Sequence, residues 1–97
     1  MRVHLRLYGV FRTAAGSSDI SIELPTSKIT VRDAIKQLVS DPALRAVKSL
    51  LFDGEATDPR PNALIMVSGR EIGTLDGLDT EVNESDELSL LPIAHGG

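Results

Sequence analysis

The chain has no cysteine. Disulfides, thiolate metal sites and a cysteine nucleophile are therefore excluded. It has no tryptophan, and Tyr8, Phe11 and Phe52 are its full set of aromatics, so the core must be aliphatic. His4 and His95 are the only histidines, and no further ligands stand at metal-binding spacing around them. No bound metal or cofactor is expected. The carboxylates are scattered over turns and polar faces, which gives no catalytic pair. No basic excess exists either: 10 Lys and Arg face 14 Asp and Glu, for a net charge of −4. That argues against direct binding of nucleic acid, which rewards a clustered basic surface. No stretch approaches the ~20 apolar residues of a membrane span. The first residues, broken by Arg2, His4 and Arg6, do not read as a signal peptide. The expectation is one cytoplasmic domain with no membrane contact, since 97 residues leave no room for a second core.

What is present is a clear periodicity. Val3, Leu5 and Leu7 alternate with Arg2, His4, Arg6 and Tyr8. That is the pattern of a half-buried strand over residues 2–8. Residues 13–18 are small and turn-prone. Ile20, Ile22 and Leu24 then alternate with Asp19, Ser21 and Glu23, predicting a second strand and an antiparallel hairpin through a short connection. Thr30-Val31-Arg32-Asp33 has the form of a capping box. Val31, Ala34, Ile35, Leu38 and Val39 follow at the spacing of one amphipathic helical face. Asp41-Pro42 marks a second, shorter helix that buries Leu44, Val47 and Leu51.

Residues 53–62 read as a polar loop. The apolar run 63–68 reads as a central strand, Arg70-Glu71-Ile72 as a short return strand and 88–93 as the last strand. Strand, strand, helix, short helix, strand, short strand, strand is the order of a β-grasp domain, although composition alone also permits other α+β folds. In that α+β fold the first and last strands lie parallel at the centre of a mixed sheet of about five strands. One main helix crosses it, and a second short helix follows. Residues 1–93 are assigned to this domain and residues 94–97 to a flexible tail.

The tail, Ala94-His95-Gly96-Gly97, carries the chemistry. Glycine has no Cβ and visits positive φ freely. Two in succession can thread a channel that a side chain would block. From Pro92 to Gly97 an extended tail reaches about 20 Å, at ~3.3–3.6 Å per residue. It can present the Gly97 carboxylate deep inside another protein. A carboxylate resists nucleophilic attack until it is joined to a good leaving group such as AMP. The ATP must be bound by a partner, because this sequence has no Gly-rich phosphate loop.

Three segments resemble a known family. Thr30-Val31-Arg32-Asp33-Ala34-Ile35 resembles the helix start of the molybdopterin-synthase small subunit. Asn62-Ala63-Leu64-Ile65-Met66-Val67-Ser68-Gly69-Arg70-Glu71-Ile72 resembles its strand and turn. Residues 75–92, ending before Gly-Gly, resemble its final third. The middle loop and Leu75-Asp76-Gly77 are similar to the small archaeal ubiquitin-like modifiers. His95-Gly96-Gly97 is similar to the ending of the ubiquitin-related modifier of tRNA thiolation. Ile93 stands where the synthase subunit often carries a second proline, so the resemblance is not confined to that subunit.

The resemblance implies a ubiquitin-like sulfur carrier, not an enzyme. An E1-like enzyme would adenylate Gly97, and a persulfide would convert it to a thiocarboxylate. The sulfur would pass to molybdopterin synthesis, with the synthase large subunit as partner, or to tRNA thiolation. The alternative is a modifier joined through Gly97 to lysines of target proteins. A third reading is a ubiquitin-like binding module whose tail is never activated.

Strand alternation supplies a candidate docking surface. If Leu88 and Leu90 face the core, then Ser89, Leu91 and Ile93 face outward. If Ile65 and Val67 pack inward, Leu64 and Met66 face outward. Met66, Leu91 and Ile93, beside Arg6 and Tyr8, form the expected partner-binding patch. His95 and Gly96 are expected to line the partner's channel. Lys28, Lys36 and Lys48 read as solvated residues, with acceptance of another modifier as the functional alternative.

Overall fold

The computed structural model describes residues 1–93. Strand β1 (Arg2–Leu7) is followed by helix α1 (Gly9–Ala15) and strand β2 (Asp19–Glu23). A short strand β3 (Ile29–Thr30) leads into helix α2 (Val31–Val39), and a 3-10 turn (Pro42–Leu44) into helix α3 (Arg45–Leu51). Strands β4 (Ala63–Val67), β5 (Arg70–Glu71), β6 (Glu81–Val82) and β7 (Glu87–Pro92) complete the order.

Five strands form one mixed sheet in the order β2-β1-β7-β4-β5. β1 and β7 are parallel neighbours, with Leu5 opposite Leu88 and Leu7 opposite Leu90. β2 runs antiparallel to β1, and β4 antiparallel to β7. The fold is therefore the expected β-grasp. Alternation explains which side of the sheet is dry: Val3, Leu5, Leu7, Leu88 and Leu90 are all buried, as are Ile65 and Val67 of β4. Burying each such side chain stabilises the fold by roughly 1.5–3 kcal/mol.

α2 closes this core with Val31, Ala34, Ile35 and Leu38. Its start is a reciprocal capping box. The Asp33 amide donates to Thr30 Oγ1 at 3.2 Å, and the Thr30 amide donates to Asp33 Oδ2 at 3.0 Å. Asp33 thus fills the place usually taken by Glu or Gln. Asp41 caps the following turn, its Oδ1 accepting from the Ala43 amide at 2.9 Å. Leu44, Val47 and Leu51 are buried on the shared face that their spacing predicts.

Two features depart from the sequence reading. The β1–β2 connection is no short turn; it contains α1. Phe11 is buried, with Ala14 and Ala15 packed against the core beside it, and Gly16 ends the helix at φ 77°. The helical spacing of Phe11, Ala14 and Ala15 before a left-handed glycine was the signal available. The small residues at 13–18 masked it by reading as a loop. The second departure is a separate two-stranded ribbon, in which Ile29 pairs with Val82 and Thr30 with Glu81. Strands of two residues carry no period, so alternation could not reveal them.

Candidate functional site

The site is built outward from the end of β7. On one side, Ala63 of β4 pairs with Pro92. On the other, the Tyr8 amide donates to the Leu90 carbonyl at 3.1 Å, where β1 hands over to α1. The Ile93 amide donates to the Asn62 carbonyl at 3.1 Å. Asn62 is itself anchored, since its Nδ2 donates to the Leu51 carbonyl at 3.1 Å. The chain leaving the sheet is thus held up to Ile93 by three elements. His95, Gly96 and Gly97 lie outside the described residues, as does the whole tail assignment of 94–97.

Gly9 completes this root. Its φ is 55°, and a Cβ placed on it would lie 2.7 Å from Pro92 Cγ. A side chain there would be strained in its backbone and would collide with the proline. Gly9, Asn62 and Pro92 were not singled out from sequence. Gly9 follows a strand directly, and Asn62 precedes one; neither spacing reveals a contact across the sheet.

The sheet face away from α2 carries the expected patch. Arg6, Ser89 and Met66 are register partners across β1, β7 and β4. Leu64 pairs with Leu91 on the same face. Arg6 lies over the Tyr8 ring, with Cζ 5.9 Å from the centroid, within the range of a cation–π contact. Tyr8, Leu64 and Ile93 are exposed, while Met66 and Leu91 are half-buried. Ser89 is a correction in degree. It takes the outward register, yet only 8% of it is accessible, because it sits between Arg6 and Met66. The structure thus brings Arg6, Tyr8, Met66 and Leu91 onto one face with Leu64, and places Ile93 just beyond.

The charged end of this face is separate. His4 Nε2 is 3.1 Å from Asp19 Oδ1 and 4.0 Å from Glu87 Oε2. The Ser18 hydroxyl foremost, then His4 and Arg6, hold the Asp19 carboxyl below its ordinary value. Among the described residues, no cluster of His, Cys, Asp or Glu could hold a metal ion. No helix among them is long and apolar enough to cross a membrane. Lys28, Lys36 and Lys48 are all exposed.

A parallel central strand pair, a capped helix across one sheet face and a chain end held at the mouth of the last strand define the ubiquitin-like β-grasp class. Comparison with known proteins narrows this. The ThiS family model matches residues 5–97, and the chain belongs to the ThiS family. It is 30% identical over 97 residues to small archaeal modifier protein 3 of Haloferax volcanii, covering 100% of both chains. It is 34% identical over 86 residues to a candidate sulfur carrier protein of Archaeoglobus fulgidus, covering 89% of this chain and 94% of that one. The crystal structure of SAMP1 from Haloferax volcanii superposes with a TM-score of 0.82 at 25% identity, covering 100% of each chain. These relatives are carriers and modifiers by name, not catalytic enzymes.

Proposed function

We propose that the protein is a ubiquitin-like sulfur carrier whose reacting group is the carboxylate of Gly97. The observation that carries this reading is the anchored root of the tail. Asn62, Tyr8 and Gly9 fix the chain up to Ile93, and the family match runs on through Gly97. A hydrogen-bonded root and a short tail ending in two residues without side chains suit delivery of a carboxylate into a partner's active site.

The chemistry would take place on an E1-like partner that binds ATP; this chain binds no cofactor of its own. A Gly97 carboxylate oxygen attacks the α-phosphorus, and pyrophosphate leaves. The terminal sulfur of a partner persulfide attacks the acyl carbon, and AMP leaves. A second partner thiol attacks the resulting acyl disulfide and is oxidised to a disulfide, which releases the Gly97 thiocarboxylate. That sulfur then serves molybdopterin synthesis, on a synthase large subunit, or tRNA thiolation. Arg6, Tyr8, Met66, Leu91 and Ile93 would seat the E1-like partner, while His95 and Gly96 occupy its channel. These roles are confined to the cytoplasm in this reading.

The full-length similarity to a modifier protein supports a second use of the same adenylate. A lysine amine of a target protein replaces sulfur as nucleophile, AMP leaves and an isopeptide bond forms. Intact-mass analysis of the protein from its native cells tests the carrier reading. A fraction carrying the mass gain of one sulfur in place of one oxygen is expected at the C-terminus. Its absence, with the tryptic fragment 71–97 that follows Arg70 found joined through Gly97 to lysines of other proteins, would replace the carrier with the modifier.

A further inference from the structure

The helical side of the molecule carries a groove that the tail chemistry does not use. It has a volume of about 920 Å³ and lies between α2, α3 and the loop after α3. Two matching stripes form its walls. Arg32, Ile35, Lys36 and Val39 line it from α2, and Arg45, Lys48, Ser49 and Phe52 from α3 and its end. Both stripes have the spacing i, i+3, i+4, i+7, so each is one continuous helical face. Ile35 is buried at the floor, with half-buried Val39 and Phe52 beside it.

The charge of the groove opposes that of the protein. Four of the 10 basic residues line it, against one of the 14 acidic residues, Glu55. The chain as a whole carries −4. Arg32 contacts Asp79 only at 3.4 Å. Lys36, Arg45 and Lys48 form no ion pair among the described residues. A solvated helix face would ordinarily mix both signs. Here three cations without an ion pair among the described residues, together with Arg32, rim an apolar floor.

We propose that this groove docks a short acidic segment with apolar side chains, supplied by a protein partner. The cations would meet its carboxylates and the floor its apolar groups. A longer polyanion fits less well. Single-stranded nucleic acid is held by bases stacked on open aromatic faces, and Phe52, half-buried, is the only aromatic in the groove. The local cations act within a Debye length of about 8–10 Å, which a short segment can stay inside. The groove is on the opposite side of the sheet from Leu64, Met66 and Leu91, so both faces can be occupied at once. The proposal stands whatever the tail does.

The test uses the full chain and a short fluorescein-labelled peptide of alternating glutamate and leucine. Anisotropy should show saturable binding that weakens as salt rises to about 0.5 M. Amide chemical-shift changes should map to α2, α3 and the loop after α3. The double charge reversal Lys36→Glu, Lys48→Glu should weaken binding at least about tenfold with little change in melting temperature, because both residues are exposed. If that variant does not fold, Lys36→Gln with Lys48→Gln should still weaken binding severalfold. Equal binding by either folded variant overturns the proposal. So do shift changes confined to the outer sheet face. A peptide of glutamate and serine, or an oligouridylate, that binds as tightly as the probe also overturns it, the latter in favour of nucleic acid.

Discussion

Pro92 at the end of β7 rests against Gly9 at the start of α1, so closely that a Cβ on Gly9 would come within 2.7 Å of Pro92 Cγ. The contact ties the tail's exit to a helix hidden in the first connection. Gly9→Ala should destabilise the fold by ~1–3 kcal/mol, since φ is 55° and the space is taken. Each kcal/mol should lower the melting temperature by about 4–8 °C. Combining it with Pro92→Ala should restore the steric part and leave the backbone part. A double-mutant cycle by urea unfolding measures this coupling; strict additivity would show that the two residues do not meet.

The apolar outer face should separate binding from stability. Leu91→Arg should weaken association with the E1-like partner by at least about tenfold, because a charge enters the centre of a desolvated contact. Leu91 is only half-buried, so its unfolding cost should be well below the ~2–5 kcal/mol of truncating a fully buried leucine. Leu90→Ala, at 0% exposure, is the matching control and should reverse the pattern. Calorimetry of binding and thermal melts on both variants decide it.

The capping box of α2 is a local test of the fold. Thr30→Ala removes the acceptor for the Asp33 amide and should cost about 1 kcal/mol. Because Thr30 also pairs with Glu81, amide exchange should rise in β6 as well as in the first turn of α2. Exchange confined to α2 would show that the ribbon is independent of the cap.

Acid should weaken two surface pairs. Asp19 is held below its ordinary carboxyl value mainly by Ser18, and Asp58 mainly by Arg60, whose Nη2 is 2.6 Å from Asp58 Oδ2. A folded-state value below the unfolded one gives stability that is full above the unfolded value, near pH 4. It is lost as pH falls through the folded value. Asp19→Asn and Asp58→Asn should each flatten the stability curve below about pH 4 and leave it unchanged in shape near neutrality. The effect should be small, as both groups are solvated. Denaturant midpoints across the acid range measure it.

Long, regular periods were legible from the sequence; contacts between distant segments were not. The alternation of Val3, Leu5 and Leu7 and the stripe from Val31 to Val39 named their buried faces correctly, because each face is repeated several times along one element. The outward register of Met66 and Leu91 followed from the same rule. α1 was hidden because the small residues at 13–18 read as a turn, while its single large anchor, Phe11, repeats nowhere. The tail root was hidden for a different reason. Gly9 meets Pro92, and Asn62 meets Ile93, only after distant elements have packed, and no local pattern encodes those meetings.

The central claim is that Gly97 bears the reacting carboxylate, and pyrophosphate exchange tests it most directly. With the cognate E1-like enzyme and ATP, the full chain should support exchange, and the chain lacking Gly97 should not. Deletion draws the carboxylate back by roughly 3.5 Å, where a displacement of even ~1 Å can cost a hundredfold in rate. Removing one terminal glycine takes away no side chain, so the deletion should leave the melting temperature nearly unchanged. Loss of exchange with an intact fold is the predicted result; exchange by the shortened chain equal to that of the full chain would contradict the account.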